Sequence, residues 1–458
     1  MSERKKLEGP SGWPIVGVLP MLKRDTLGFL ERTARTYGDF VPVRMFMSTS
    51  YLLNHPAHVE HVLQTNYRNY RKTRMMEKFK PILGQGLFIA EDELWTRQRR
   101  LIQPSFHRQR INAMAGTMVE ILNQHVAAWD GHVKAGADIN LSEDMSFLAL
   151  EIALRTMFGN GLRPDEAHAV SQALIVGNEV SAARVWQLTR IGEYLPTAKN
   201  RAYNNAVATL DRIVNRIVGE RRARARPDPH TDDGDLLDVL LDARDADTNE
   251  GMDDKQLRDE VLTLLLSGHE TTAVMLAWAI LLLARHPECL ERLRNEADDA
   301  LAGRPPVADD LKSLDYNRRV IQEVGRLRPS IWWFARQAVN DDVICGQPIK
   351  AGTTVLISQY LIHRNPTIWD DPERFDPDRF TPERVAKRSK FAYLPFGAGP
   401  RVCVGSAFAM MEMQFALAML LRRFDVAIVS DPDPELSSMI TLRPKEDIRA
   451  RVALRRRH

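Results

Sequence analysis

The residue that most invites chemistry is Cys403. It closes a glycine-rich run, Phe396-Gly397-Ala398-Gly399-Pro400-Arg401-Val402-Cys403-Val404-Gly405, which leads into an apolar segment of helical period from about Val404 to Arg423. Unpaired backbone N–H groups and the helix dipole stabilise negative charge at a helix N-terminus. A cysteine there is drawn toward its thiolate, the form that binds metals. The glycines let the backbone come close to a flat ligand. A cysteine merely buried in a turn would need none of this setting.

Three other groups stand out. Ser267-Gly268-His269-Glu270-Thr271-Thr272 interrupts a long apolar helix, where glycine and polar side chains are locally unfavourable. That interruption is either an internally bonded kink or a groove with a task. Glu323 and Arg326 sit at i, i+3 and share a helix face, and Pro372-Glu373-Arg374-Phe375 lies between them and Cys403. Trp95 and Arg99 are i, i+4 neighbours on one face.

These residues need a scaffold. Asp253 is a predicted N-cap with Gln256 three residues on, opening a helix from Leu257 to about Arg285 that stops at His286-Pro287. Residues 39–65 alternate in the manner of a small β region, and 93–222 are helical in period with a break near Gly159-Asn160-Gly161 and Pro164. Residues 223–235 predict an exposed loop, Leu311 to about Leu327 a helix, 339–360 strands, and Asn365 to Gly399 a proline-rich loop. The reading is a mainly α chain with a minor β part.

Composition excludes some partners. Lys plus Arg (63) nearly cancels Asp plus Glu (60), so charge argues against nucleic acid and against an anionic membrane. No run of about 20 uncharged apolar residues predicts a membrane span. Cys289, Cys345 and Cys403 are too few for a disulfide framework and suit a reducing, cytoplasmic location.

Over essentially its whole length the sequence resembles the cytochrome P-450 monooxygenases. Their loop Phe-x-x-Gly-x-Arg-x-Cys-x-Gly is matched by Phe396, Gly399, Arg401, Cys403 and Gly405. The resemblance implies that Cys403 ligates the iron of haem b, with Phe396 beside the thiolate and Arg401 on a haem propionate. It implies a buried triad of Glu323, Arg326 and Arg374. Gly268 would open space over the iron, while Thr271 and Glu270 would deliver protons. Ser267 departs from the family's Ala or Gly, and its hydroxyl is expected to bond back toward Thr263. Trp95 and Arg99, and also Arg336, would meet the propionates.

The resemblance further implies the cytochrome P-450 fold as one domain over 1–458, its β lobe drawn from about 39–65 and 339–395. The activity implied is O2 activation and hydroxylation or epoxidation of an apolar small molecule: terpenoid, fatty acid, steroid or macrolide-like. Met75, Met76, Phe79, Leu264, Leu265, the run Ile331–Phe334 and Met439-Ile440 would line its pocket. The chain has no dinucleotide fingerprint, cysteine cluster or room for a flavin module, so electrons must come from a ferredoxin or flavodoxin with an NAD(P)H-dependent reductase. Arg97, Arg100, Arg108, Arg110, Arg318 and Arg319 are expected to steer that acidic donor. Two rivals are a hydrogen-peroxide-driven peroxygenase, which typically replaces the Glu–Thr pair, and a haem sensor without turnover.

Overall fold

The carboxylate of Asp253 accepts from Gln256 N at 2.7 Å and so caps the longest helix of the chain. The structure, a computed structural model, describes residues 7–159, 161–185, 191–223 and 234–456. The expected break at Asn160 and most of the expected loop at 223–235 lie outside the described residues. The main helices are α1 (Asp92–Ile102), α2 (Leu141–Phe158), α3 (Pro164–Val185), α4 (Ala198–Ala223), α5 (Asp254–Arg285), α6 (Asp315–Leu327) and α7 (Ser406–Arg423). The strands that matter most are β1 (Phe40–Met45), β2 (Ser48–Leu53), β3 (Tyr70–Lys72), β4 (Phe334–Ala338) and β5 (Thr354–Ile357). Helix dominates, with small sheets, as the sequence predicts.

α6 begins at Asp315, later than the expected Leu311. The reason is Asp310, whose carboxylate accepts from Val307 N at 2.7 Å and pairs with Arg304 at 2.6 Å, closing the short turn Ala308–Lys312 first.

The chain forms two compact units. The first takes the chain up to Thr73, then Gln322–Cys403 and Glu435–Lys445. Its sheet runs β1-β2-β5-β4-β3. β2 and β5 pair in parallel, Tyr51 opposite Val355, and the other pairs are antiparallel. Apolar side chains on its faces form the core, among them Val41, Val43, Leu52 and Trp332.

The second unit takes Arg74–Ile321, Val404–Pro434 and the chain from Glu446. It is helical, with one small sheet in which Arg449–Leu454 lies between Asp138–Asn140 and Phe424–Ile428. α5 is its axis and packs against α2, α4 and α7. By length and hydropathy α5 would suffice to cross a bilayer, yet every residue from Thr272 to Leu283 is buried by protein, as befits a core helix.

Candidate active site

The first unit carries the thiolate loop. Cys403 N donates to Phe396 O at 2.9 Å, which folds the run back on itself and leaves the Cys403 side chain exposed. Two glycines make this path possible. Gly397 and Gly399 have φ of 72° and 69°, in the left-handed region. At Gly399 a Cβ would also stand 1.9 Å from Leu63 O, so no other residue fits there. Phe396, Gly399 and Arg401 thus share one loop with Cys403, and Arg401 has its Nε and Nη1 removed from solvent. Arg336 lies on β4, its guanidinium 4.8 Å from the Phe334 ring centroid.

A buried ionic network fixes the segment that leads to this loop. Arg326 Nε and Nη2 donate to Glu323 Oε2 and Oε1 at 2.7 and 2.8 Å, and both side chains are fully buried. Burial pushes the Glu323 carboxyl up, and Arg326 opposes that shift. Arg374, expected as the third member, does not take that place. Its side chain is exposed, and only its backbone carbonyl takes part, accepting from Arg326 Nη2 at 3.0 Å. The second guanidinium is Arg379, whose Nε is 3.4 Å from Glu323 Oε1. Pro377-Asp378-Arg379-Phe380 repeats the pattern of Pro372-Glu373-Arg374-Phe375 five residues on, and that repetition was the available signal.

His363 joins the network to the loop. It is fully buried, its Nδ1 is 3.2 Å from Arg326 O, and its Nε2 accepts from Leu394 N at 2.8 Å, two residues before Phe396. Burial, with Arg326 and Arg364 nearby, pushes its pKa down to about 3. A neutral imidazole is what this pair of bonds requires. The sequence reading missed this residue.

The second unit carries the groove residues on α5. A Cβ at Gly268 would meet nothing within 4 Å, so the helix faces open space there. Thr271 Oγ1 donates to Ser267 O at 2.7 Å. The back-bond of this turn is therefore made by Thr271, and the expected bond from Ser267 to Thr263 is not formed. His269 is buried, with Nε2 2.8 Å from Ser146 Oγ on α2, and burial pushes its pKa down to about 4. Glu270 Oε2 accepts from Asn178 Nδ2 on α3, a partner the sequence did not suggest.

Trp95 and Arg99 lie half-buried on α1, as spaced, and Arg99 Nε donates to Gln103 Oε1 at 3.3 Å. α5 itself anchors the loop before this helix. Asp259 Oδ2 accepts from Gln85 N at 2.8 Å and Glu260 Oε2 from Leu87 N at 2.9 Å. Gln98 Nε2 on α1 then donates to Gln85 O at 2.9 Å. Gly86 permits the close approach, since a Cβ there would be 2.1 Å from Thr263 Oγ1.

The basic cluster reads differently in three dimensions. Arg97 donates to Gln256 Oε1 at 2.9 Å and Gly251 O at 3.0 Å. Arg100 pairs with Asp245 at 3.2 Å and with Asp247, while Arg318 and Arg319 both pair with Asp315. These four arginines are engaged by their own unit and do not form a free positive patch. Trp332, expected in the substrate pocket, is instead fully buried in the sheet core with Nε1 donating to Met439 O at 3.2 Å.

A haem held through one thiolate asks for an accessible sulfur, for space beside a helix, and for cations to meet its two carboxylates. Cys403 supplies the first, Gly268 the second, and Arg401, Arg336 and Arg99 are suited to the third. The residues fit the group.

A mainly helical chain with these small sheets and a glycine-bound thiolate loop has the cytochrome P450 fold. The cytochrome P450 family profile matches residues 7–449, and the chain belongs to the cytochrome P450 family. It is 35% identical over 415 residues to the cyclooctat-9-en-7-ol 5-monooxygenase of Streptomyces melanosporofaciens, covering 91% of this chain and 88% of that protein. It is 33% identical over 449 residues to the pentalenene oxygenase of Streptomyces avermitilis, covering 97% of each. The crystal structure of the cytochrome P450DA haem domain matches with a TM-score of 0.87 at 29% identity, over 98% of this chain and 97% of that one. Membership makes the protein a P450 oxidoreductase, with haem as the family's cofactor and with O2 and a redox partner as its monooxygenases' normal requirements.

Proposed function

We propose that this chain, acting over 1–458 as one catalytic entity in the cytoplasm, inserts one oxygen atom of O2 into a terpenoid. The other atom leaves as water, with two electrons and two protons consumed. The relatives named for cyclooctat-9-en-7-ol and pentalenene support an apolar terpenoid skeleton. The electrons come from a separate ferredoxin or flavodoxin served by an NAD(P)H-dependent reductase.

Bound haem b supplies the site at which O2 binds and is reduced. Cys403 holds the iron as a thiolate, and Phe396 shields the sulfur. Gly399 keeps the loop in its required path. Arg401, Arg336, Trp95 and Arg99 bind the propionates, where charge-assisted hydrogen bonds are strongest. Gly268 leaves room for O2. Thr271 presents its hydroxyl at the turn it closes with Ser267, and Glu270 brings protons in from outside, the work of a positioned acid.

The observation that carries this reading is the left-handed Gly399 loop ending at Cys403, and the glycine-opened turn at Gly268–Thr271 of α5 supports it separately. The test is a carbon-monoxide difference spectrum, then turnover of a terpenoid panel with a surrogate ferredoxin system. A strongly red-shifted Soret band and O2-dependent hydroxylation are expected. Product formed with hydrogen peroxide but not with O2 and electrons would favour a peroxygenase. Haem binding without turnover on any panel member would favour a sensor.

A further inference from the structure

We propose that Asn178 is a positioning residue for Glu270: through it, α3 sets the direction of the carboxylate and hence whether Glu270 passes a proton toward Thr271. This rests on the relay reading above.

The neighbours of Glu270 are both committed elsewhere. His269 is bonded to Ser146 on α2, and Thr271 to the carbonyl of Ser267 on α5 itself. The Ser146 bond ties α5 to α2 at this turn. Glu270 projects toward α3, where the Asn178 amide donates to Oε2. An amide suits this task. It donates to a carboxylate without adding a charge, so it orients the group yet can be exchanged for another donor.

α3 has little slack at this point. Gly177 precedes Asn178, and a Cβ there would stand 2.3 Å from Cδ1 of Ile82, which is itself fully buried. α3 also rests on the segment Arg74–Phe79. That segment holds Met75, Met76 and Phe79, three of the apolar residues expected to meet substrate. Beyond α3, Glu193 pairs with Lys78 of the same segment. α3 is thereby held against this segment, and Asn178 presents its amide to Glu270 from a fixed position.

The experiment compares Asn178→Leu, Asn178→Gln and Glu270→Gln in haem-loaded full-length protein, with a terpenoid that the wild type oxidises. Two quantities are read: the share of consumed NAD(P)H that ends as hydrogen peroxide, and the melting temperature without turnover. Asn178→Leu is expected to raise the peroxide share about twofold or more, with haem content and substrate affinity unchanged. Asn178→Gln, which keeps an amide, is expected to recover part of the coupling. In the Asn178→Leu/Glu270→Gln double variant the melting-temperature shifts should fall short of additivity by about 1–2 °C, the sign of a direct interaction. If Glu270→Gln uncouples turnover while Asn178→Leu does not, the positioning role is wrong and the relay survives. If Glu270→Gln itself leaves coupling intact, the relay reading fails. If Asn178→Leu weakens substrate binding with coupling intact, Asn178 is a substrate contact and the inference is overturned.

Discussion

Arg379 Nε stands 3.4 Å from Glu323 Oε1, the same oxygen that accepts from Arg326 Nη2 and from Asp376 N at 2.8 Å each. Arg379 also donates to the carbonyls of Asp370 and Asp371. Its loss would remove the second cation beside the buried Glu323 carboxylate and the charged donor to the Asp370 and Asp371 carbonyls. Arg379→Leu is expected to cost about 3–5 kcal/mol, read by denaturant unfolding and by loss of bound haem. Arg374→Leu should stay within about 0.5 kcal/mol, because its contribution is a backbone carbonyl. Equal losses in the two variants would show that the network extends to the Arg374 side chain.

Cys403→Ser should fold and lose the thiolate signature. The loop is closed by the Cys403 N to Phe396 O bond and by Gly399 against Leu63, neither of which uses the sulfur. The measurement is the reduced carbon-monoxide spectrum, and a red-shifted Soret band persisting in the variant would refute the ligand assignment.

Thr271→Ala should uncouple turnover. The hydroxyl bonded to Ser267 O is removed while the backbone of α5 is unchanged, so stability should move by less than about 1 kcal/mol. NAD(P)H consumption should continue while peroxide rises and product falls. Product yield equal to that of the wild type would shift the task to Thr272 or Ser267.

His363 makes stability fall with acid. Its ordinary pKa of 6.5 is lowered to about 3 in the fold, so the unfolded chain takes up a proton that the folded chain refuses. Stability from this group is complete above pH about 6.5 and declines as pH drops toward 3, by up to about 1.4 kcal/mol per unit. His269 acts in the same sense down to about pH 4. Denaturant unfolding between pH 7 and 5 should therefore show a shallower slope for His363→Gln than for the wild type. An unchanged slope would mean that His363 is already protonated in the fold.

Local chemistry was legible in the sequence wherever one residue type is forced. Only glycine fits Gly399, and only a short acceptor caps α5 at Asp253, so the thiolate loop and the long helix could be placed from spacing. What escaped was decided by tertiary neighbours. Two Pro-acid-Arg-Phe patterns compete for Glu323, and nothing within either says which one turns inward. The arginines near Trp95 look free along the chain because Gly251, Asp245 and Asp247, which engage them, are remote in sequence. Asn178, His363 and the carboxylates of Asp259 and Glu260 belong to no motif, and only the fold brings them to their partners.

The parallel pairing of β2 with β5 sets a schedule for biosynthesis. Tyr51 leaves the ribosome roughly 300 residues before its partner Val355. At about 5–20 residues per second, that is a wait of roughly 15–60 s. Throughout it, one side of β2 is an unpaired apolar strand edge, the kind of surface that recruits strands from other chains. The nascent protein therefore depends on chaperones to cover this edge until Val355 arrives, and faster completion of the chain shortens the exposure.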